Sequence, residues 1–278
     1  MAGNKQFSAL VSLYKNDNLS YFKEALESVF NQTLPPAEVI IAVDGPVPAE
    51  TEDFIRRAAE DNPKIKNVFL AVNIGRGAAL GKVLPMCKYP LVALVDADDI
   101  NLPARFEKLF NCFEYDSALS VVGGQIEEAD PVTLKPFAER KVPLSDADIK
   151  KYIKTRSPFN QMTVMLKKED VLKAGGYRTY HLFEDYDLWV RMAAAGLKMQ
   201  NLPDTLVKAR VDANLYARRG GYKYFKSNKA LQDQLLALGM ISIPLYIFNI
   251  ILRFTVQVLM PNYLRGLFYK KALRANNI

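Results

Sequence analysis

The run Pro90-Leu-Val-Ala-Leu-Val95, followed at once by Asp96-Ala-Asp-Asp99, restricts the fold of this chain more than any other segment. Apolar residues at nearly every position, rather than every second one, mark a strand covered on both faces, and such strands belong to sheets with helices above and below. The first half of the chain agrees. Short β-rich runs at 7–13, 38–43 and 67–72 alternate with amphipathic stretches at 20–31 and 51–61, the order of a mostly parallel α/β sheet. Ser20 is the expected N-cap of the first helix, whose Phe22, Ala25, Leu26, Val29 and Phe30 form one stripe. Leu102 and Pro103 open a helix that turns Phe106, Leu109, Phe110 and Phe113 inward. Residues 119–126 and 163–166 read as strands. Residues 185–195 read as a helix ended by Gly196, with Leu188, Trp189, Met192 and Ala195 inward.

In open α/β sheets ligands sit beyond the carboxyl ends of the strands, and Asp96, Asp98 and Asp99 occupy that place after the most apolar strand. Like charges about 5 Å apart repel by roughly 3 kcal/mol at an effective dielectric near ~20. Three carboxylates this close together therefore call for a compensating cation. Hard oxygen ligands suit Mg²⁺ or Mn²⁺, either of which bridges to phosphate oxygens. An Asp-rich turn capping the next helix accounts for one of these carboxylates but not for three. Further on, Glu184 and Asp185 begin an amphipathic helix; compensation of the helix dipole by Glu184, Asp185 and Asp187 is the structural alternative to a chemical role.

The segment Leu94-Val-Asp-Ala-Asp-Asp-Ile-Asn-Leu-Pro-Ala-Arg-Phe106 resembles the D-x-D-D segment of family 2 glycosyltransferases, which have the GT-A fold. Other pieces match in order: Ser12-Leu13-Tyr14, Ser28-Val-Phe-Asn-Gln-Thr33, Val43-Asp44-Gly45, Asn73-Ile74-Gly75 and Phe183-Glu-Asp-Tyr-Asp-Leu-Trp-Val-Arg191. The likeness spans roughly residues 6 to 210. It implies that Asp44 bonds the uracil of a UDP-sugar, Asp98 the ribose, and Asp99, with Asp98, a divalent Mn²⁺ or Mg²⁺; Asp96 supports either role. It also implies Asp185 as the base, with Glu184 orienting the acceptor, in a single displacement that inverts the anomeric centre. A retaining route needs a nucleophile as well, and none is evident. The Asp44-Gly45-Pro46 sequence replaces the family's usual Asp-Asp-Gly-Ser and is similar to the subgroup that makes bacterial O-antigen and exopolysaccharide. Asn160 resembles a residue of an acceptor-side loop, a turn-forming Asn being the alternative. Two other classes remain as alternatives: a sugar nucleotidyltransferase, and a non-catalytic membrane-bound carbohydrate or nucleotide binder.

With 278 residues, 50% of them hydrophobic, the chain suffices for one large α/β domain and an extension. The expected division is 1–212 for the transferase domain and 213–278 for a basic, apolar helical extension. A net charge of +7 points to an anionic partner: a nucleotide sugar, a lipid surface or nucleic acid. Taken with the resemblance, it favours the first two and no nucleic acid. Cys87, Cys112 and the single His181 make no zinc site, and a reduced, cytoplasmic setting is expected, without a signal peptide. Gly75-Arg-Gly-Ala-Ala-Leu-Gly-Lys82 fails both the dinucleotide and the phosphate-loop patterns, so a solvated basic turn is expected for Arg76 and Lys82; the resemblance, which places this region beside the nucleotide, implies contact of Arg76 or Lys82 with phosphate as the alternative. From Gln234 to Leu252 no residue is charged, close to the roughly 20 residues of a membrane span. Gly239, Pro244 and Asn249 argue instead for a helix or helical pair lying on the inner face of the cell membrane, where Arg218 and Arg219 would meet the phosphates of a lipid-linked saccharide acceptor. A homodimer interface is the alternative for the same apolar surface. No processive-synthase Q-x-x-R-W motif is present, so transfer of one sugar is expected.

Overall fold

The apolar run forms β4 (Leu91–Asp96), a central strand buried along its length until Asp96. In the computed structural model, residues 5–211, 220–261 and 264 are described. Strands β1 (Ser8–Leu13), β2 (Glu38–Val43), β3 (Ile65–Phe69) and β4 form a parallel half-sheet in the order β3-β2-β1-β4. Beyond β4 the sheet continues through β8 (Met165–Lys167), β6 (Leu119–Ala129), β9 (Lys198–Arg210) and the two-residue β5 (Ile100–Asn101), with β7 (Pro136–Arg140) on the side of β6. Pairing turns antiparallel at β4–β8, β8–β6 and β9–β5, while β6 and β9 run parallel. The result is a mixed α/β sheet with flanking helices.

Hydrophobic clusters cover both faces. One holds α1 (Leu19–Phe30), α2 (Ala49–Asp61) and α4 (Arg105–Tyr115) through Phe22, Ile55 and Phe106. The other holds α3 (Arg76–Val83), α5 (Asp146–Tyr152), α6 (Lys168–Lys173) and α7 (Glu184–Ala194), with Trp189 of α7 fully buried. Helix α8 (Tyr222–Ala237) joins this second cluster through Leu231 and Leu235, and Ile241 follows it before α9 (Ile243–Phe254).

Local chemistry moved several boundaries. Asn18, not Ser20, caps α1, its Oδ1 accepting from the N–H groups of Ser20 at 2.8 Å and Tyr21 at 3.2 Å; an Asn two residues earlier satisfies the same orphan donors. Helix α4 starts at Arg105, because residues 100–101 pair with β9 and Pro103 lies in the intervening turn. The third strand occupies Ile65–Phe69 rather than 67–72, its register fixed by Val39 opposite Ile65. Residues 161–163 make a 3₁₀ turn, leaving Met165–Lys167 as the strand. Ala195 caps the end of α7 and is exposed. The uncharged stretch 234–252 is a helical pair: Gly239, at φ +66°, ends α8 in the left-handed region that suits glycine, and Pro244 sits in the first turn of α9.

Candidate active site

Strand β4 delivers Asp96, Asp98 and Asp99 to the carboxyl end of the sheet, and one oxygen of each lies within 4.8 Å of the others. Their environments differ. Asp99 is 4% exposed, and its Oδ1 accepts the backbone N–H of Arg210 at 2.9 Å. That contact exists because β5, directly after Asp99, pairs with the end of β9. Burial first, then the charges of Asp98 and Asp96, push the Asp99 carboxyl well above the usual carboxylate range. Asp98 keeps a solvent-open surface at the cleft mouth, yet loss of surrounding water and the Asp96 charge raise it as well. Three hard oxygens that repel one another, with the Asp98 and Asp99 carboxyls holding their protons more tightly than usual, form a donor set that fits Mg²⁺ or Mn²⁺.

Asp96 is already partnered. The Arg76 guanidinium, on the first residue of α3, donates to its Oδ1. Arg76 is half-buried rather than a solvated turn residue, which corrects the sequence expectation; Lys82, in the last turn of α3, is exposed as expected. Burial disfavours the Arg76 charge, but Asp96, Glu184 and then Asp185 outweigh it and raise its pKa. Arg76 therefore lies between the strand-end carboxylates and the acid pair at the start of α7. Gly77 permits this approach: a Cβ there would meet the Arg178 carbonyl oxygen at 2.4 Å and the Glu184 Cβ at 2.7 Å.

Glu184 and Asp185 are both half-buried. Burial and the Asp185 charge raise Glu184, with Arg76 opposing. Burial raises Asp185 too, against its backbone N–H contacts, Arg76 and Arg140. Ser157 Oγ lies 3.4 Å from Asp185 Oδ2. Asp187, by contrast, is 1% exposed and paired with Arg191 at 2.7 Å. Arg191 Nη2 also donates to the Gly176 carbonyl at 2.7 Å, so this pair ties the 174–176 turn to α7.

Asp44 stands at the end of β2 and is buried. Its two oxygens accept the N–H groups of Ile74 at 2.8 Å and Gly75 at 2.9 Å, and its carbonyl accepts from Asn73 Nδ2 at 3.0 Å. It thus fixes the loop that leads into Arg76, with a lone pair left on each oxygen. Asn160 is fully buried, its amide nitrogen donating to the carbonyls of Gly124 at 2.9 Å and Arg140 at 3.4 Å, which ties its loop to β6 and β7. His181 is exposed, and Arg218 and Arg219 lie outside the described residues.

Three further groups reach the site without a sequence signal strong enough to select them. Asp17, in the loop after β1, accepts from the Tyr14 N–H at 2.9 Å, and burial with the Asp98 and Asp96 charges pushes it up to about 7. Arg105 is 1% exposed beneath the cluster, donating to the Asn101 side chain and to the Leu94 carbonyl at 2.5 Å. Burial pushes its guanidinium down to about 9, Asp96 and Asp99 opposing, and it stays charged at neutral pH. The Arg210 side chain closes the other flank, donating to the Asp98 carbonyl at 2.5 Å and to Glu24 at 2.5 Å.

The profile of Glycosyl transferase family 2 matches residues 8–176. A UDP-Gal:alpha-D-GlcNAc-diphosphoundecaprenol beta-1,3-galactosyltransferase of Escherichia coli is 37% identical over 272 residues, 97% of each chain. The amylovoran biosynthesis glycosyltransferase AmsE of Erwinia amylovora is 35% identical over 268 residues, covering 95% of this chain and 98% of that one. Among solved structures, S. aureus TarS 1-349 in complex with UDP-GlcNAc superposes with a TM-score of 0.68 at 15% identity, over 91% of this chain and 73% of that one. The mannosyltransferase PcManGT from Pyrobaculum calidifontis, in complex with GDP-Man and Mn²⁺, gives 0.62 at 17% identity, over 96% and 74%. At these identities the structural matches establish the shared GT-A fold.

Proposed function

Because this chain belongs to glycosyl transferase family 2 and is a glycosyltransferase, we propose that it moves a single sugar from a UDP-sugar to a hydroxyl of a lipid-linked saccharide, with inversion, in the building of a bacterial surface polysaccharide. The observation that carries the reading is the clustering of Asp96, Asp98 and Asp99 within 4.8 Å at the end of β4, separated by Arg76 from the acid pair Glu184 and Asp185. The donor and acceptor classes are supported by the E. coli relative, whose name gives UDP-Gal and a GlcNAc-diphosphoundecaprenol.

Asp99 and Asp98 would hold a Mn²⁺ or Mg²⁺ ion, which when bound supplies positive charge to the departing diphosphate. Asp98 also takes the ribose hydroxyls, and Asp44 uses its remaining lone pairs for the uracil N–H. Asp96, neutralised by Arg76, sets the position of that guanidinium. Asp185 accepts the proton of the acceptor hydroxyl as its oxygen bonds to C1 of the sugar and the C1–O bond to phosphate breaks, the electron pair leaving with UDP. Its raised pKa makes it a stronger base than a solvated carboxylate. Glu184 orients the acceptor. Residues 1–212 carry this chemistry, and 213–278 keep the enzyme at the inner face of the cell membrane, where the acceptor is.

The test is metal-dependent UDP release over a panel of UDP-sugars with a GlcNAc-diphosphate-lipid acceptor. Wild-type enzyme should release UDP only with Mn²⁺ or Mg²⁺, and Asp99→Ala and Asp185→Asn should both abolish it. Full activity in both variants, or release of pyrophosphate in place of UDP, would overturn the assignment.

A further inference from the structure

Helix α9 is packed with its polar side inward. Asn249 is 1% exposed and donates to Gln232 Oε1 at 2.9 Å and to the Lys154 carbonyl at 3.3 Å. One turn on, Arg253 donates to Asn228 Oδ1 at 2.6 Å and to the Thr155 carbonyl at 2.5 Å, and Tyr246 donates its hydroxyl to Asp233 at 2.7 Å. These bonds fix the rotation of the helix. Its opposite face therefore exposes Ile243, Ile247, Phe248, Ile251 and Leu252, each between 41% and 64% accessible, with Leu259 continuing the stripe. A surface helix of a soluble domain ordinarily turns such a stripe to the core. Here hydrogen bonds that apolar side chains cannot make hold it outward, and a contiguous apolar face of this kind marks a contact surface.

The surroundings of that face are basic. A cleft of about 490 Å³ between α5 and the α8–α9 turn is lined by Lys150, Lys151, Lys154, Leu238 and Met240. Lys150 pairs with Asp146, whereas no carboxylate among the described residues pairs with Lys151 or Lys154. Ile243 follows Met240, which lines the cleft with the lysines, by three residues, so the apolar stripe starts within roughly 11 Å of the cleft wall. At its other end the α8–α9 pair reaches the catalytic acids: the Tyr224 ring of α8 lies 5.0 Å from that of Phe183, the residue before Glu184, and Phe254 of α9 packs on Phe225 at 5.2 Å.

We propose that the exposed face of α9, with Lys151 and Lys154 beside it, is the surface by which the enzyme docks in the interface of an anionic lipid bilayer, apolar side chains among the acyl chains and ammonium groups at lipid phosphates. This specifies the membrane contact in the reading above and rests on it only for the identity of the acceptor. No helix among the described residues is long and apolar enough to cross a membrane, and the 12 residues of α9 span about 18 Å, which suits a helix lying in the interface. A second copy is a poorer occupant. A two-fold contact through this face would bring the unpaired lysines of both copies toward one another, in chains that each carry a net charge of +7. Docking through α9 also keeps the Tyr224 end of α8, which packs on Phe183 one residue from the acid pair, close to the membrane that carries the acceptor.

The test is co-flotation of the full chain with vesicles of phosphatidylethanolamine and phosphatidylglycerol, without any sugar donor, alongside UDP release on a water-soluble, short-chain GlcNAc-diphosphate acceptor. Wild-type enzyme should float with these vesicles. Ile247→Glu with Ile251→Glu should weaken binding roughly a hundredfold or more, and Lys151→Ala with Lys154→Ala roughly tenfold, the latter only when anionic lipid is present. Both double variants should turn over the short-chain acceptor like the wild type. Absence of wild-type binding, binding unchanged in the isoleucine variant, or a wild-type dimer that this variant makes monomeric would each overturn the proposal. So would loss of short-chain turnover together with loss of flotation, which would put α9 in the reaction site. Because flotation needs no donor, a failure of the catalytic reading leaves this result legible.

Discussion

The Arg76 guanidinium donates to the Asp96 carboxylate across the carboxyl end of β4, and the same cation opposes the burial that raises the Glu184 and Asp185 carboxyls. One side chain thus carries the positive charge shared by the proposed donor site and the proposed base. Replacing it frees Asp96 to repel Asp98 and Asp99, and withdraws charge from the acid pair.

Arg76→Met is expected to lower kcat/KM for the UDP-sugar by roughly 10- to 100-fold and to raise the divalent-ion concentration needed for half-maximal activity. Arg76→Lys should recover part of the loss, since the charge returns without the planar donor fork. Steady-state kinetics across a Mn²⁺ titration check this, and an unchanged metal requirement in Arg76→Met would remove Arg76 from the site.

Asp185→Asn should reduce kcat by about 10²- to 10⁴-fold with a much smaller effect on UDP affinity. In the wild type, activity should fall as pH drops through the raised Asp185 value, because only the ionised carboxylate accepts the proton. A pH profile of kcat for wild type and Asp185→Glu tests the assignment; a profile identical in Asp185→Asn would point to another base.

The crowded carboxylates tie stability to pH. A carboxyl whose folded value is raised keeps its proton longer in the folded chain, so the stability it contributes is complete below the unfolded value and is lost as pH rises through the folded one. For Asp17 that window runs from 3.8 to about 7, and Asp98 and Asp99 shift in the same direction. In EDTA the melting temperature should therefore decline across this range, Asp17→Asn should shallow the decline, and Mn²⁺ should raise the melting temperature most at its upper end. Thermal scans with and without metal decide the matter, a metal-independent profile counting against ion binding.

Gly77→Ala places a methyl group where the Arg178 carbonyl oxygen and the Glu184 Cβ already lie, at 2.4 and 2.7 Å. The α3 and α7 ends must then separate, and turnover should fall by at least about tenfold, since displacements near 1 Å matter this much in a positioned site. Single-turnover kinetics read the effect, and wild-type rates in Gly77→Ala would mean that the close approach is dispensable.

Arg191→Met leaves Asp187 buried and unpaired and the Gly176 carbonyl without its donor. Breaking a buried pair from one side costs about 3 to 5 kcal/mol. Urea denaturation should show a lower midpoint with the slope unchanged, and a midpoint equal to wild type would show that the pair contributes nothing to stability.

Much of this molecule was legible in the sequence because the relevant signals are local. An apolar run as short as 91–95, with Pro90 before it, reads as a covered strand rather than a helix, and acids placed directly after such a strand emerge at the carboxyl end of the sheet. The stripe Phe22, Ala25, Leu26, Val29 likewise determined which face of α1 is buried. The tertiary structure decided what depends on distant partners. Asp99 is distinguished from Asp98 by the N–H of Arg210, brought in by a two-residue strand too short to leave a periodic signal. Arg76 reads as a solvated turn until the Asp44 carboxylate fixes the loop before it and Gly77 lets α7 approach. The rotation of α9 follows from Asn249 and Arg253 finding partners on α8 and the 154–155 loop, and only that rotation turns the apolar stripe outward. Local periodicity sets what each segment is; hydrogen bonds between remote segments set which way it faces.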